Sequence, residues 1–129
     1  MTGKLPMAPP LALPLVDVRD VAMLHVAAID LEAAKGERFA ATSETLQFSE
    51  ITKTLKDWDS SLKTPKRDAP IWLLRIMSFF SSDAKMITSS LGLNLAVSGA
   101  KAERVFDFKF ISAKDAIIGS AEAVKRKML

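Results

Sequence analysis

The sequence has no cysteine and no tyrosine, and it carries one histidine, two tryptophans and five glycines. Without cysteine there can be no disulfide, no thiolate metal site and no cysteine nucleophile, and a reducing compartment is compatible with the chain. With one histidine as the remaining nitrogen ligand, a metal site would have to rest on carboxylates. Gly3, Gly36, Gly92, Gly99 and Gly119 do not stand at the spacing of a dinucleotide loop or a P-loop, so neither phosphate cradle is present. Long apolar runs are missing too. Residues 5–16 are uncharged, but Pro6, Pro9, Pro10 and Pro14 interrupt them and Asp17, Arg19 and Asp20 follow at once. That run is too short to cross a bilayer as a helix, so the expectation is a soluble, cytoplasmic chain with no membrane partner.

Charge of one sign is also scarce. The formal net charge is +3, and the two most basic segments, 63–67 and 125–127, are short and carry no interleaved aromatics. A nucleic-acid surface would need a denser basic face with stacking groups, so no nucleic-acid partner is expected. What the chain does have is 129 residues, 49% hydrophobic and 26% charged, the balance of one globular domain able to bury a core.

Punctuation along the chain predicts its elements. Residues 2–13 are proline-rich and cannot form a helix or a central strand. Residues 13–16 read as extended, and Asp17 as the N-cap of a helix over 18–34 that ends at Lys35 and a C′ Gly36. That helix carries two apolar stripes, Val18, Ala22 and Ile29 on one side and Val21, Leu24, Ala28 and Leu31 on the other. Residues 37–41 and 45–48 are strand candidates. Ser49 is the expected cap of a helix with Ile51, Leu55 and Trp58 inward. Pro70 suits the first turn of a helix through Phe80, "PIWLLRIMSFF", which is apolar apart from Arg75 and Ser78 and reads as core, with Arg75 snorkelling or ion-paired. A further helical piece is expected over 83–91 and a short one from Ser98 to Val105. "FDFKF" alternates and reads as extended, and Ser112 with Asp115 resembles a capping box for a last helix to about residue 127. Strands this short and few do not make a stable sheet alone, so they read as additions to a sheet supplied by something else.

No catalytic constellation emerges. His25 as a general base would need an orienting partner and a nucleophile in reach, and a partly buried helix histidine is the plainer reading. Asp17 and Asp20 lie three apart with Arg19 between them, which capping and solvation explain better than metal binding. Fifteen acidic residues allow many carboxylate pairs, so none is specific for glycosidase chemistry.

Four blocks in order, "PLVDVRDVAMLHVAAI", "KGERFAATSETLQFSEI", "APIWLLRIMSFF" and "SGAKAERVFDFKFISAKDAI", resemble the C-terminal part of extended short-chain dehydrogenase/reductases of the NAD-dependent epimerase/dehydratase superfamily. Within that family the blocks resemble the dihydroflavonol reductase and cinnamoyl-CoA reductase type, including its bacterial aldehyde or ketone reductases, and the likeness runs over about residues 5–124. The resemblance implies an α/β, mostly helical fragment with a few short strands. It would be the C-terminal substrate-binding part of a Rossmann-type reductase, occupying 1–129 as a single domain without its N-terminal Rossmann cofactor domain.

In the family, the GxxGxxG loop, the catalytic Ser or Thr and the Tyr-x-x-x-Lys pair lie upstream of the matched region, so no catalytic or cofactor-binding residue carries over, and no metal is implied. The proline-rich segment 1–13 resembles the variable loop that shapes the substrate pocket, which points to Pro6, Met7, Leu13, Leu15 and Val16 as pocket residues. Family members usually carry a histidine or similar polar residue where this chain has Leu15.

The resemblance therefore implies an NADP- or NAD-dependent aldehyde or ketone reductase in its full-length form. This chain would select a small carbonyl substrate, bind no cofactor alone and be inactive without its Rossmann domain or a split partner. The alternatives are a non-enzymatic interaction domain that forms homo-oligomers through the surface left bare, or the same portion of a sugar-nucleotide epimerase or dehydratase.

Overall fold

The computed structural model describes residues 7–65, 67–79, 85, 88 and 97–128. Two short strands, β1 (Ala12–Leu15) and β2 (Glu44–Gln47), form a two-stranded sheet. The Phe48 amide donates to the Leu11 carbonyl and the Ser43 amide to the Leu15 carbonyl, both at 2.8 Å. Rising numbers in one strand thus meet falling numbers in the other, which makes the pair antiparallel. Residues 37–41, expected as a strand, have no strand geometry, and the second strand is the one expected a residue later. The helices are α1 (Val18–Asp30), α2 (Phe48–Trp58), α3 (Ile71–Met77), α4 (Ala100–Phe106) and α5 (Ala113–Met128). The chain divides into two compact units, Met1–Leu13 with Gln47–Leu95, and Pro14–Leu46 with Ala96–Leu129.

In the first unit, α2 begins two residues earlier than the expected Ser49 cap. Gln47 is the N-cap because Glu50 Oε2 reaches back to accept its amide at 2.7 Å. Thr52 and Leu55 are buried, while the expected Ile51 and Trp58 are half-buried. Ala8 forms a parallel bridge with Asp68, accepting from the Ala69 amide at 2.7 Å and donating to Arg67 at 2.9 Å. That bridge holds the 67–69 segment and buries Ala8 and Ala69.

Pro70, expected in the first turn, is the N-cap of α3, and the helix stops at Met77, where the Ser78 hydroxyl donates to the Arg75 carbonyl at 2.7 Å. The expectation that this apolar helix is core does not hold. Leu74 is buried, yet Ile71, Trp72, Ile76 and Phe79 are exposed, and so is Arg75. The apolar pattern fixes which residues form the helix, but their burial depends on neighbours that one helix cannot supply. The helical piece expected over 83–91 lies outside the described residues apart from Lys85 and Thr88, both helical.

In the second unit, α1 starts on the Asp17 cap and ends at Asp30, four residues short of the expected end. A 3₁₀ turn over Glu32–Ala34 follows, and Gly36 then supplies the left-handed residue at φ 71°. Of the two apolar stripes the second faces inward, with Leu24 buried and Val21, Ala28 and Leu31 half-buried. Val18 and Ile29 stand 78% and 76% exposed.

"FDFKF" is not a strand. Phe106 ends α4, and Asp107 takes the left-handed conformation (φ 49°, ψ 53°), so its amide and that of Phe108 both donate to the Glu103 carbonyl. The Glu103 carboxylate then accepts the Phe110 amide at 3.2 Å, and the Phe108 and Phe110 rings meet edge-on at 4.7 Å. The predicted cap of α5 is present: the Ser112 hydroxyl donates to Asp115 Oδ2 at 2.7 Å and accepts the Asp115 amide at 3.1 Å.

Backbone approaches closely at buried Gly99, the residue before α4. A Cβ built there would lie 2.1 Å from the Thr42 carbonyl oxygen and 2.5 Å from the Phe110 ring. Gly99→Ala is therefore expected to destabilise the fold by about 2 kcal/mol or more, because backbone rather than a flexible side chain must yield. A urea titration against the unaltered chain measures this, and an unchanged midpoint would refute the close packing.

Candidate functional site

The end of β1 and the start of α1 carry a polar cluster in the second unit. Asp17 is extended (φ −76°, ψ 137°) and its Oδ1 accepts the Arg19 amide at 2.9 Å, which satisfies one free donor of the helix start. The Arg19 guanidinium closes on the same carboxylate through Nε and Nη2, each at 2.9 Å, in a bidentate pair. The Arg19 side-chain hydrogen bond, then its amide, holds the Asp17 carboxyl at about 2 against an ordinary 3.8, although burial pulls the other way. Asp17 also raises the Arg19 pKa, first through the hydrogen bond and then through its charge.

Asp20 differs from its expectation. It is buried rather than solvated, and its Oδ2 accepts the Ile111 amide at 2.8 Å. Both carboxylates are thus consumed by backbone donors, and among the described residues no group of three His, Asp or Glu side chains could hold a metal.

His25 is exposed, not partly buried, and its Nδ1 lies 2.7 Å from the Val21 carbonyl one turn earlier. It lines a notch of about 180 Å³ with Val21, Leu24, Ala28, Phe39 and Phe106. The Phe39 and Phe106 rings meet edge-on at 5.0 Å, and Lys101 Nζ sits 4.8 Å from the Phe39 ring centre. Lys101 also donates to Glu37 at 2.5 Å and to the Arg38 carbonyl at 3.1 Å, and that hydrogen bond lowers the Glu37 pKa. The notch is smaller than the usual range for a small-molecule site, and no nucleophile lines it beside the imidazole. It has the chemistry of an apolar contact.

Of the pocket residues expected from sequence, Leu13 and Leu15 alternate on β1 and so share one of its faces, with Val16 directly after. Met7, Leu13, Leu15 and Val16 are all half-buried, and Pro6 lies outside the described residues. Leu15 is held from the main chain, its carbonyl accepting both the Ser43 amide and the Thr42 hydroxyl. Sequence reasoning missed Gly99, Thr42 and the burial of Asp20. These depend on partners dozens of residues away, and no local signal marks them.

No protein-family model matches the chain, and no curated protein sequence does. Two solved structures share its fold. Gre2 of Candida albicans, crystallised with NADPH, superposes with a TM-score of 0.59 and 24% identity over 90% of this chain and 31% of that one. The yeast methylglyoxal/isovaleraldehyde reductase Gre2, also complexed with NADPH, gives a TM-score of 0.63 and 20% identity over 93% of this chain and 37% of that one. The chain spans about a third of the length of these structures, and what it shares with them is the fold of that part, mostly helical with a short two-stranded sheet.

Two substitutions test the polar cluster. Asp17→Ala removes cap and ion pair together and is expected to cost about 1 kcal/mol at neutral pH. Because folding lowers the Asp17 pKa, its contribution is full above about pH 4 and is lost as the pH falls toward 2. The stability gap between variant and parent should therefore close over that window in urea melts, and a gap independent of pH would refute the ionised cap. Asp20→Ala leaves the Ile111 amide without its acceptor and is expected to cost about 2 kcal/mol, with Asp20→Asn milder because an amide oxygen can still accept. Equal losses from the two variants would refute the hydrogen-bond account.

Proposed function

We propose that the chain is the substrate-binding C-terminal portion of an NAD(P)H-dependent aldehyde or ketone reductase of the extended short-chain type. Within that type, the dihydroflavonol and cinnamoyl-CoA reductase-like branch fits its sequence blocks best. The observation that carries this reading is the superposition of at least 90% of the chain on about a third of two proteins crystallised with NADPH, one of them named as a reductase of methylglyoxal and isovaleraldehyde. A Rossmann half, on the same polypeptide or a separate one, would hold the cofactor and donate the proton. The present residues would then select the carbonyl substrate, with Pro6, Met7, Leu13, Leu15 and Val16 along the pocket. The whole chain would act as one substrate-binding part.

The outward stripe of α1 supports the same reading. Val18, Val26 and Ile29 are 78%, 68% and 76% exposed, and Ala22 and Met23 are exposed beside them. Covering a large aliphatic side chain of this kind is worth about 1.5 kcal/mol or more, so the stripe is a docking face for something outside the described fold. A second reading takes that face as self-complementary, which would make the chain a self-associating interaction domain.

The isolated chain given NADPH with methylglyoxal, isovaleraldehyde or aryl aldehydes is expected to show no turnover, and robust cofactor oxidation would overturn the division of labour. Joined to the cofactor half of a related reductase, it should support aldehyde-dependent NADPH oxidation. In that chimaera Leu15→Trp should raise KM about tenfold. Sedimentation separates the second reading, in which the chain alone is a dimer that Val26→Glu converts to monomer.

A further inference from the structure

A cleft lies within the first unit, and none of Met7, Leu13, Leu15 and Val16 of the expected pocket lines it. Its volume is about 590 Å³, within the usual range for small-molecule sites. One wall is a single face of α2, where Ser49, Lys53 and Lys56 follow at helical spacing. The other is the loop carrying Lys63, Thr64 and Arg67.

The loop is braced rather than free. Lys56 Nζ donates to the Ser60 carbonyl and, at 3.1 Å, to the Leu62 carbonyl. Asp59 Oδ1 accepts both the Ser61 amide at 2.9 Å and its hydroxyl at 2.6 Å. At the far end the Ala8 bridge fixes Arg67 and Asp68 through their backbone. The lysine that performs the bracing cannot also serve fully as a ligand. Lys53, Lys63 and Arg67, however, are exposed into the cleft's solvent and have no ion-pair partner among the described residues.

Four cations thus line the cleft against two carboxylates, Asp57 and Asp68. We propose that this cleft is a binding site for a small phosphate-bearing molecule, with Lys53, Lys63 and Arg67 as its charged contacts and Ser49 and Thr64 as hydroxyl donors. The two carboxylates select for high charge density: a phosphate dianion gains from three cations where a single carboxylate ligand is largely offset by Asp57 and Asp68. The Arg67 fork suits two phosphate oxygens at once, and the lysines act as point charges. Among the described residues no aromatic side chain lines the cleft, so they offer no platform for stacked bases, which argues for a small molecule over single-stranded nucleic acid. The site stands apart from the reductase reading and is tested on this chain alone.

Inorganic pyrophosphate is the probe, titrated at low ionic strength into the ¹⁵N-labelled full chain. Saturable shifts are expected at the amides of Ser49, Lys53, Thr64 and Arg67, weakening about tenfold in Lys53→Ala/Arg67→Ala and less in Lys63→Gln. Lys114→Ala, on the exposed face of α5, should bind as the parent does. Thermal melts of the variants should match the parent, since the altered side chains are exposed. Absence of saturation to about 10 mM would overturn the proposal. So would undiminished binding by the double variant, shifts spread equally over the basic end of α5, or tighter capture of a single-stranded oligonucleotide through the same residues.

Discussion

The second unit depends on one hydrogen bond, from the Ile111 amide to the buried carboxylate of Asp20 at 2.8 Å. It joins residues 91 positions apart and ties the first turn of α1 to the chain just before α5. A carboxylate at 5% exposure must be hydrogen-bonded or it opposes folding, so once Asp20 faces inward the rotation of α1 is set. Leu24 and Ala28 follow at i+4 and i+8 on the same face, and Leu31 closes the stripe. At 100° per residue, Val18, Ala22 and Ile29 lie close to the opposite side, which is where they are found exposed. A polar residue therefore decides which of two equally apolar stripes becomes core.

That dependence explains which features were legible in the sequence. The Asp17 cap, the Ser112–Asp115 pair, the left-handed Gly36 and the start of α3 at Pro70 are interactions within one turn of chain, and residue type with spacing is enough to specify them. The burial of Asp20 and the approach of Gly99 to Thr42 involve partners far away in sequence, and nothing local records them. Two segments that read as extended, the mostly apolar 37–41 and the alternating 106–110, fail for a related reason. Phe39 and Phe106, one from each, pack edge-on against each other, and Lys101 fastens Glu37 and Arg38 to α4 instead of leaving them for a ladder. Alternation reports two faces of different polarity, and a loop pinned between a helix and an aromatic ring has these too.

The candidate sites divide in the same way. Leu13, Leu15 and Val16 were named through a resemblance carried by sequence blocks, and their chemistry alone would not have distinguished them from any half-buried aliphatic segment. The basic run 63–67 was visible, but by itself it is a solvated loop. It gains meaning only because α2 lays Lys53 and Lys56 along the facing wall and Lys56 spends its donors on the loop carbonyls. The sequence shows the charges and the fold makes them converge.

The interior accounts for what remains outside. Among the described residues nine apolar side chains are buried, five of them alanines, and none of the large ones is fully enclosed. Ala102 and Ala113 stand at zero exposure, but each alanine removes little apolar area from water. The larger side chains, Trp72, Phe79, Val18 and Ile29, are on the outside instead. Single exposed apolar residues are ordinary, whereas α1 presents a stripe repeated over its length and residues 71–79 present four. Small residues are thus enclosed among the described residues while several large ones stay in water. Under the proposed reading, these exposed side chains are the ones that a cofactor-bearing half would cover.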